Sequence, residues 1–224
     1  MKQFRRSGWF AGVICLLGFG LSLRPALAAD SATGGLEVGV NLNKPSLDIT
    51  GTSASTNLKA GVLVGGFGIF PLGNKAAIQL EGAYSQKGFG VTVPNVDGKG
   101  GTFKATETVD FVEIPILLRL NLHHPAKGLG FYAIVGPAAG FRARTHESDA
   151  SLNGAATPAD PNLKSELKRI DVSIIGGAGI TKGKWDLEAR YDAGLRDLNQ
   201  DNKLGAGTDV KSRTTSIIFR WRFK

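Results

Sequence analysis

Charged residues of both signs alternate with apolar residues in the stretch WDLEARYDAGLRDL, residues 185–198. Side chains point in alternate directions along a β-strand, so the ions of this stretch share one side. They are Asp186, Glu188, Arg190, Asp192 and Arg196. Carboxylates beside arginines can act as an acid–base pair, line an ion path, or fill an interior as buried ion pairs. Residue type and spacing leave these three alternatives open.

Other patterns that look like binding motifs each lack a required part. The pair HH at 123–124 lies in a short turn, and adjacent side chains chelate a metal poorly without further ligands. The spacing DLNQD at 197–201 resembles the start of a calcium loop, but Asn202 stands where that loop needs glycine. The glycine runs at 65–68 and 176–179 precede no helix that could bind phosphate, and they suit bent, closely packed strands. The sequence therefore predicts no catalytic residue, no metal site and no cofactor.

The elements that must position these ions are eight strands, bounded by Gly, Pro, Asn and Asp. They are predicted at 35–43, 59–70, 76–88, 106–122, 129–144, 168–181, 184–196 and 211–223. The first, third, fifth and seventh connections are long and polar, at 44–58, 89–105, 145–167 and 197–210. The other three are short. Strict alternation of long and short connections is typical of an outer-membrane barrel, whereas a soluble β-sandwich has no reason to sort its loops this way.

The two sides of the predicted strands differ as such a barrel requires. The third strand sets Ile78, Leu80 and Tyr84 against Gln79, Glu81 and Lys87, and the sixth has Asp171 on its polar side. The second strand, KAGVLVGGFGIF, is apolar on both sides, and its faces stay unassigned. Buried charges must be paired. The sequence therefore predicts a lumen network of ion pairs formed by Glu113, Arg119, Arg142, Asp186, Glu188, Arg190, Asp192, Arg196, Arg220 and Arg222.

Aromatic residues on the apolar side predict two interfacial girdles. Phe131 and Phe141 are ten residues apart on one face, which at the tilt of barrel strands spans roughly 25 Å, the height of an apolar membrane band. With the N-terminus in the periplasm, the girdle residues are Phe70, Phe131, Trp185, Trp221 and Phe223 at the inner interface and Tyr84, Phe141 and Tyr191 at the outer one. The alternating end SIIFRWRFK resembles the signal by which the barrel-assembly machinery recognises its clients.

The first 28 residues predict a secretory signal peptide for Sec-type export. Lys2, Arg5 and Arg6 precede an apolar run that ends before the small-residue site Ala26-Leu27-Ala28. Cleavage is expected after Ala28 or Ala29, leaving residues 29–224 as the barrel domain. Removal of four basic and no acidic residues lowers the net charge from +8 to +4, which is too mild to indicate a nucleic-acid partner. The one cysteine, Cys15, lies in the apolar run, so the mature chain has no disulfide.

Several segments resemble the outer-membrane β-barrel family that includes PorT-type proteins. The resemblance covers about residues 76–223 and is carried by Glu113-Ile114-Pro115, by Gly136-Pro137, and by Arg190-Tyr191 with Gly194-Leu195. It implies an all-β fold, an eight-stranded antiparallel transmembrane β-barrel with short periplasmic turns and long extracellular loops. Some members of that family are linked to protein secretion and sorting.

The expected protein is thus a non-enzymatic barrel of the cell outer membrane with a structural, adhesion or secretion-associated role. Its expected partners are outer-membrane lipid, the barrel-assembly machinery, and an extracellular or secretion-system protein. Two alternatives stay open at this point, a narrow solute or ion pore and an embedded lipid-modifying enzyme.

Overall fold

A computed structural model describes residues 32–44, 46–49, 55–94, 101–123, 128–156, 168–196 and 208–223. The predicted signal peptide and the calcium-like spacing at 197–201 lie outside these ranges. The described chain forms twelve strands: β1 (Thr33–Asn43), β2 (Ser46–Ile49), β3 (Ser55–Asn57), β4 (Lys59–Pro71), β5 (Ala76–Pro94), β6 (Thr102–His123), β7 (Gly130–Leu152), β8 (Ala155–Ala156), β9 (Ile170–Lys182), β10 (Trp185–Gly194), β11 (Thr208–Lys211) and β12 (Arg213–Arg222).

Eight of these strands close into one antiparallel barrel. The order around the ring is β1, β4, β5, β6, β7, β9, β10 and β12, and β12 pairs with β1 from Gly35–Arg222 to Asn43–Thr214. Closure leaves no strand edge in the ring, which is the condition for a sheet to exist in hydrocarbon. The predicted fold class is confirmed.

The two ends of the barrel differ in the lengths of their connections. Three short connections, after β4, β6 and β9, lie at one end, the turn end, together with the start of β1 and the end of β12. Gly183, with a φ of 59°, supplies the left-handed backbone conformation in the two-residue turn between β9 and β10. The four long connections lie at the opposite end, the loop end. Each connection at the loop end is longer than those at the turn end, but the one between β5 and β6, residues 95–101, is much shorter than the predicted 89–105.

The hairpins at the loop end continue further than predicted. β5 and β6 pair as far as Pro94 and Thr102, and β6 and β7 pair as far as Phe103 and Leu152. The sequence predicts connections at 89–105 and 145–167 because these segments are polar and rich in Gly, Asn, Asp, Ser and Thr. Strand pairing needs only backbone hydrogen bonds, so the strands can stay paired beyond the residues in which apolar and polar side chains alternate. The short strands β2, β3, β8 and β11 also lie in the predicted connections, with β2 pairing β11, β3 pairing β5 and β8 pairing β7.

The outer face of the barrel is apolar and exposed. Val38, Ile116, Ile174, Leu187 and Ile217 are each about half exposed, and they come from five different strands. A soluble protein would bury such a continuous surface, whereas lipid solvates it. Within the described ranges, no helix has the length and hydropathy needed to cross a membrane.

The second predicted strand, which had no assigned faces, lies in β4. Leu63, Phe67 and Ile69 are buried inside the barrel, while Val62 and Val64 are exposed on the outer face. The inward residues form two small apolar clusters, Leu63 with Ala83 and Ile218, and Phe67 with Ile69 and Ala77. Apolar side chains therefore fill much of the interior on the β4 side, where the strand carries an ion only at its first residue, Lys59.

Candidate functional site in the barrel interior

A middle cluster of five ions lies inside the barrel between β1, β5, β10 and β12. Its members are Glu37, Glu81, Glu188, Arg190 and Arg220. The Arg220 guanidinium pairs with all three carboxylates, at 2.8 Å to Glu37, 2.6 Å to Glu81 and 2.5 Å to Glu188. Arg190 donates to the other oxygen of Glu81 at 2.6 Å. Because each residue lies in an inward register position, strand alternation alone directs these side chains into the lumen.

A turn-end cluster inside the barrel joins side chains of β6, β7, β10 and β12. Asp186 accepts a hydrogen bond from Arg119 at 3.0 Å and another from Arg222 at 2.9 Å. The Arg119 guanidinium lies over the Tyr132 ring, 3.4 Å from its centroid, which is a cation–π contact. Gln79 accepts from Arg119 and donates to Glu81, so it connects this cluster to the middle one.

A loop-end cluster surrounds the Lys87 ammonium with three carboxylates. Its Nζ lies 2.5 Å from Glu113, 2.9 Å from Asp192 and 3.8 Å from Asp171. All four side chains are nearly inaccessible to solvent. The Asp171 carboxylate accepts no hydrogen bond within the part of the chain that the structure describes. One cation thus compensates three closely placed acids.

Uncharged polar side chains occupy the interior beside β1. Asn41 donates to the Ser85 hydroxyl at 2.9 Å and accepts from Ser216 at 2.8 Å. Thr214 donates to Asn43 at 2.8 Å. These bonds join β12 to β1 and β1 to β5, so side chains reinforce the closure that the backbone ladder makes.

Glycines on β9 leave the space that two interior side chains occupy. A Cβ at Gly179 would overlap the Tyr132 hydroxyl oxygen, and one at Gly177 would lie 2.8 Å from the Arg190 Cβ. Both approaches are closer than real Cβ contacts allow. The run GGAG at 176–179 is therefore a packing feature of the interior, in agreement with the prediction of close packing.

The structure brings most of the predicted lumen ions together. Eight of them lie in the three clusters: Glu113, Arg119, Asp186, Glu188, Arg190, Asp192, Arg220 and Arg222. Arg196 does not, because β10 ends at Gly194 and the exposed Arg196 follows outside the strand alternation. Its placement in the lumen network is wrong. Arg142 is half-buried and lies at the loop end near Arg144 and Arg169, beyond the three clusters.

Four clustered ions were absent from the predicted network. They are Glu37, Glu81, Lys87 and Asp171. The sequence places three of them, Glu81, Lys87 and Asp171, on the polar side of their strands, so the alternation contains the signal. Glu37 has the same signal, since it alternates with the exposed Leu36 and Val38.

The predicted girdle residues lie on the outer face. Phe131, Trp185 and Trp221 are exposed near the turn end, and Trp185 and Trp221 have ring centroids 4.8 Å apart. Tyr84, Phe141 and Tyr191 are exposed nearer the loop end. Phe70 is half-buried, and Phe223 is exposed just after the end of β12.

Two central ions of the interior are completely buried. Arg220 and Glu188 are each 0% exposed. Their charges are compensated by one another rather than by solvent, as buried ions require. An interior of this size and composition is typical of eight-stranded barrels, in which side chains fill the lumen.

A closed ring with an apolar outer face, aromatic residues near both ends of that face and an ion-paired interior defines the class of outer-membrane β-barrels. The family model described as outer membrane protein beta-barrel domain matches residues 28–200. The chain belongs to this family.

Solved structures of small barrels resemble the chain. OprG from Pseudomonas aeruginosa is 14% identical, with 86% of this chain and 96% of that chain covered and a TM-score of 0.49. Neisserial surface protein A is 12% identical, with 86% and 99% covered and a TM-score of 0.42. Ail, the attachment invasion locus protein of Yersinia pestis, is 14% identical, with 86% and 99% covered and a TM-score of 0.38. A comparison with curated protein sequences finds no match.

Proposed function

We propose that this small outer-membrane barrel is non-conducting and has a structural or interaction role, with its lumen closed by the ion-pair network. The observation that carries the proposal is the middle cluster, where Arg220 binds three carboxylates and neither Arg220 nor Glu188 is accessible to water. A hydrated ion that crosses the barrel at the middle cluster has to displace side chains whose charges compensate one another.

Planar-bilayer recording tests whether the lumen conducts. The refolded wild-type barrel is expected to give no stepwise openings. The E188Q/R190Q variant is the comparison, because both residues belong to the middle cluster and their replacement conserves net charge. Stepwise wild-type openings that disappear in this variant would favour the pore alternative and contradict the proposal. Retarded or advanced gel mobility of the unboiled sample relative to the boiled one verifies that each variant is folded.

The interaction role is supported by the loop end. There β5, β6 and β7 extend beyond the aromatic positions Tyr84 and Phe141, and β2 pairs with β11. With the turn end in the periplasm, these strands lie outside the cell and offer a surface for adhesion or for a secretion-system partner. The resemblance of Glu113-Ile114-Pro115 and Arg190-Tyr191 to PorT-type proteins favours the secretion-associated form of this role.

We also propose that the chain is exported by means of a cleaved signal peptide. The barrel-assembly machinery would insert the chain after removal of residues 1–28. Mass spectrometry of the protein from an outer-membrane fraction tests this step, and a mature chain that begins at Ala29 or Asp30 is expected. Recovery of the protein in soluble periplasm, with no difference between unboiled and boiled gel mobility, would contradict the placement in the membrane.

A further inference from the structure

A lysine lies beside two tryptophans on the outer face of the barrel at the turn end. Lys182 is the last residue of β9, and strand alternation gives it the same outward direction as the exposed Ile174. Its register partner on β10 is Trp185, which in turn is the register partner of Trp221 on β12. All three side chains are exposed. Directly opposite residues of an antiparallel pair have Cβ atoms about 5 Å apart, so these three form one continuous group, the Lys182 row.

The polar groups of the Lys182 row have no partner in the described part of the chain. There the Lys182 ammonium forms no ion pair and donates no hydrogen bond, and neither indole N–H donates one. The nearest carboxylate along the chain, Asp186, points into the barrel, where Arg119 and Arg222 compensate it. The row therefore offers one positive charge and three hydrogen-bond donors to a ligand outside the protein.

The apolar outer face begins directly beside this row. Leu187 and Phe219 lie two residues further into the barrel strands on the same outward side, and both are exposed. The Trp185 and Phe219 rings have centroids 4.9 Å apart, so the aromatic surface is continuous with the apolar band. A lysine inside hydrocarbon is costly, whereas tryptophan and lysine both favour the level of the headgroups. A lipid whose headgroup contacts Lys182 can therefore lay its acyl chains along these side chains.

The exposed charge at the turn end is positive. Lys75, Lys182 and Lys184 are exposed there, and no acidic side chain is exposed at this end within the described ranges. Lys184 directly precedes Trp185, and its ammonium donates to the Phe223 carbonyl at 3.3 Å. A zwitterionic phospholipid has its own cation, which these lysines repel, whereas an anionic phospholipid has only its phosphate to offer. Charge complementarity therefore favours the anionic class.

We propose that the Lys182 row binds the phosphodiester headgroup of an anionic phospholipid, of the phosphatidylglycerol class, in the periplasmic leaflet of the membrane. The assignment to this leaflet rests on the proposed function, since the turn end must face the periplasm. The phosphate oxygens accept from Lys182 and from the indole N–H groups, which otherwise have no acceptor in the described chain.

Tryptophan quenching by brominated phospholipid reports directly on this row. In the chain that begins at Ala29, Trp185 and Trp221 are the two tryptophans. The barrel is refolded into phosphatidylcholine vesicles that contain either brominated phosphatidylglycerol or brominated phosphatidylcholine at the same mole fraction, with bromine on the same acyl carbons. The ratio of the two quenching curves gives the binding constant of the anionic lipid relative to the zwitterionic one.

Three variants separate a specific site from general surface charge. Lys182→Gln removes the cation of the row, and Lys182→Arg retains it. Lys75→Gln is the matched control, because it removes one exposed lysine from the turn between β4 and β5. That turn is at the same end of the barrel but on the opposite side of the ring, with two strands between it and the turn after β9 in either direction.

Wild type is expected to prefer phosphatidylglycerol about fivefold, the effect of one lysine at an anionic membrane surface. Lys182→Gln should reduce the relative binding constant to about one, and Lys182→Arg and Lys75→Gln should leave it at the wild-type value. Equal quenching of wild type by the two brominated lipids, an undiminished preference in Lys182→Gln, or equal losses in Lys182→Gln and Lys75→Gln would each overturn the inference.

These outcomes are distinguishable from failure of the proposed function. A chain that shows no lipid preference but has heat-sensitive gel mobility and gives no stepwise conductance contradicts the lipid site alone. A chain that conducts contradicts the proposed function and leaves the lipid preference to be measured in the same vesicles.

Discussion

At the scale of single residues, the interior is a set of shared charges rather than isolated pairs. Lys87 compensates Glu113, Asp171 and Asp192, and Arg220 compensates Glu37, Glu81 and Glu188. Removing one partner of a buried ion pair costs more than the pair itself contributes, because the remaining charge loses its compensation. The cost of removing a cation should therefore exceed the cost of removing an acid. Each of these two cations pairs with three acids, whereas each acid pairs with only one or two cations.

Lys87→Met is therefore expected to lower the free energy of unfolding by about 3–5 kcal/mol, the usual cost of leaving buried charges without a partner. Asp171→Asn should change it by less than about 1 kcal/mol, because the carboxylate is one of three acids on a single cation and its oxygens accept no hydrogen bond within the described ranges. Urea unfolding of the barrel in phospholipid vesicles, followed by tryptophan fluorescence, measures both. Similar costs for the two variants would show that Lys87 is not shared in this way.

At the scale of elements, β9 adapts its backbone to side chains from neighbouring strands. Tyr132 reaches across to β9 where Gly179 has no side chain, and Arg190 uses the space at Gly177. A Cβ added at Gly176, on the outer face, would have nothing within 4 Å. Packing on this strand therefore requires the absence of a side chain at Gly177 and Gly179, whereas it does not require it at Gly176.

Gly179→Ala is expected to destabilise the barrel by about 1–3 kcal/mol, the usual cost of overpacking an interior. Its Cβ would overlap the Tyr132 Cζ and lie 2.8 Å from the Leu187 carbonyl oxygen. Gly176→Ala is the matched control on the same strand, and we expect no loss, since alanine is favoured over glycine in a strand interior. The same urea titration compares them. A double variant Gly179→Ala with Tyr132→Leu, which removes both the Cζ and the hydroxyl, should cost less than the sum of the two single variants, and additive costs would locate the strain elsewhere.

The elements also show how far the sequence predicts this barrel. Alternation along β10 and β12 predicts which side chains point inward, and connection length predicts which strand ends lie together. Alternation does not predict which inward residues meet, because strand tilt and ring closure decide that. Lys87 meets Asp192 across 105 residues of chain, and Arg220 meets Glu81 across 139. A β-bulge at Ala143, between the register pairs Phe111–Arg142 and Asp110–Arg144, is also beyond prediction, since it depends on the pairing of β6 with β7 and not on residue type.

At the scale of the whole molecule, the outer face determines how the barrel sits in lipid. Its apolar residues lie between aromatic residues at the turn end and at the loop end, and amphipathic aromatic rings favour the level of the lipid headgroups. Trp185 and Trp221 are register partners on β10 and β12, and both are exposed close to the turn end. Two of the three tryptophans of the chain therefore report on the depth of one interface.

Tryptophan fluorescence in vesicles of brominated phospholipids should consequently be quenched more strongly by bromine atoms near the headgroup end of the acyl chains than by bromine atoms near their methyl ends. The physical reason is that both indoles lie where the apolar band ends, while the centre of the band contacts residues such as Leu187 and Ile217. In the chain that begins at Ala29, the variant Trp221→Phe isolates Trp185, and Trp185→Phe with Trp221→Phe supplies the background without these two indoles. Stronger quenching by the deeper bromines would place these residues inside the hydrocarbon. Quenching by aqueous iodide alone would mean that this end of β10 and β12 lies outside the bilayer, and the height of the membrane band would then have to be assigned from other residues.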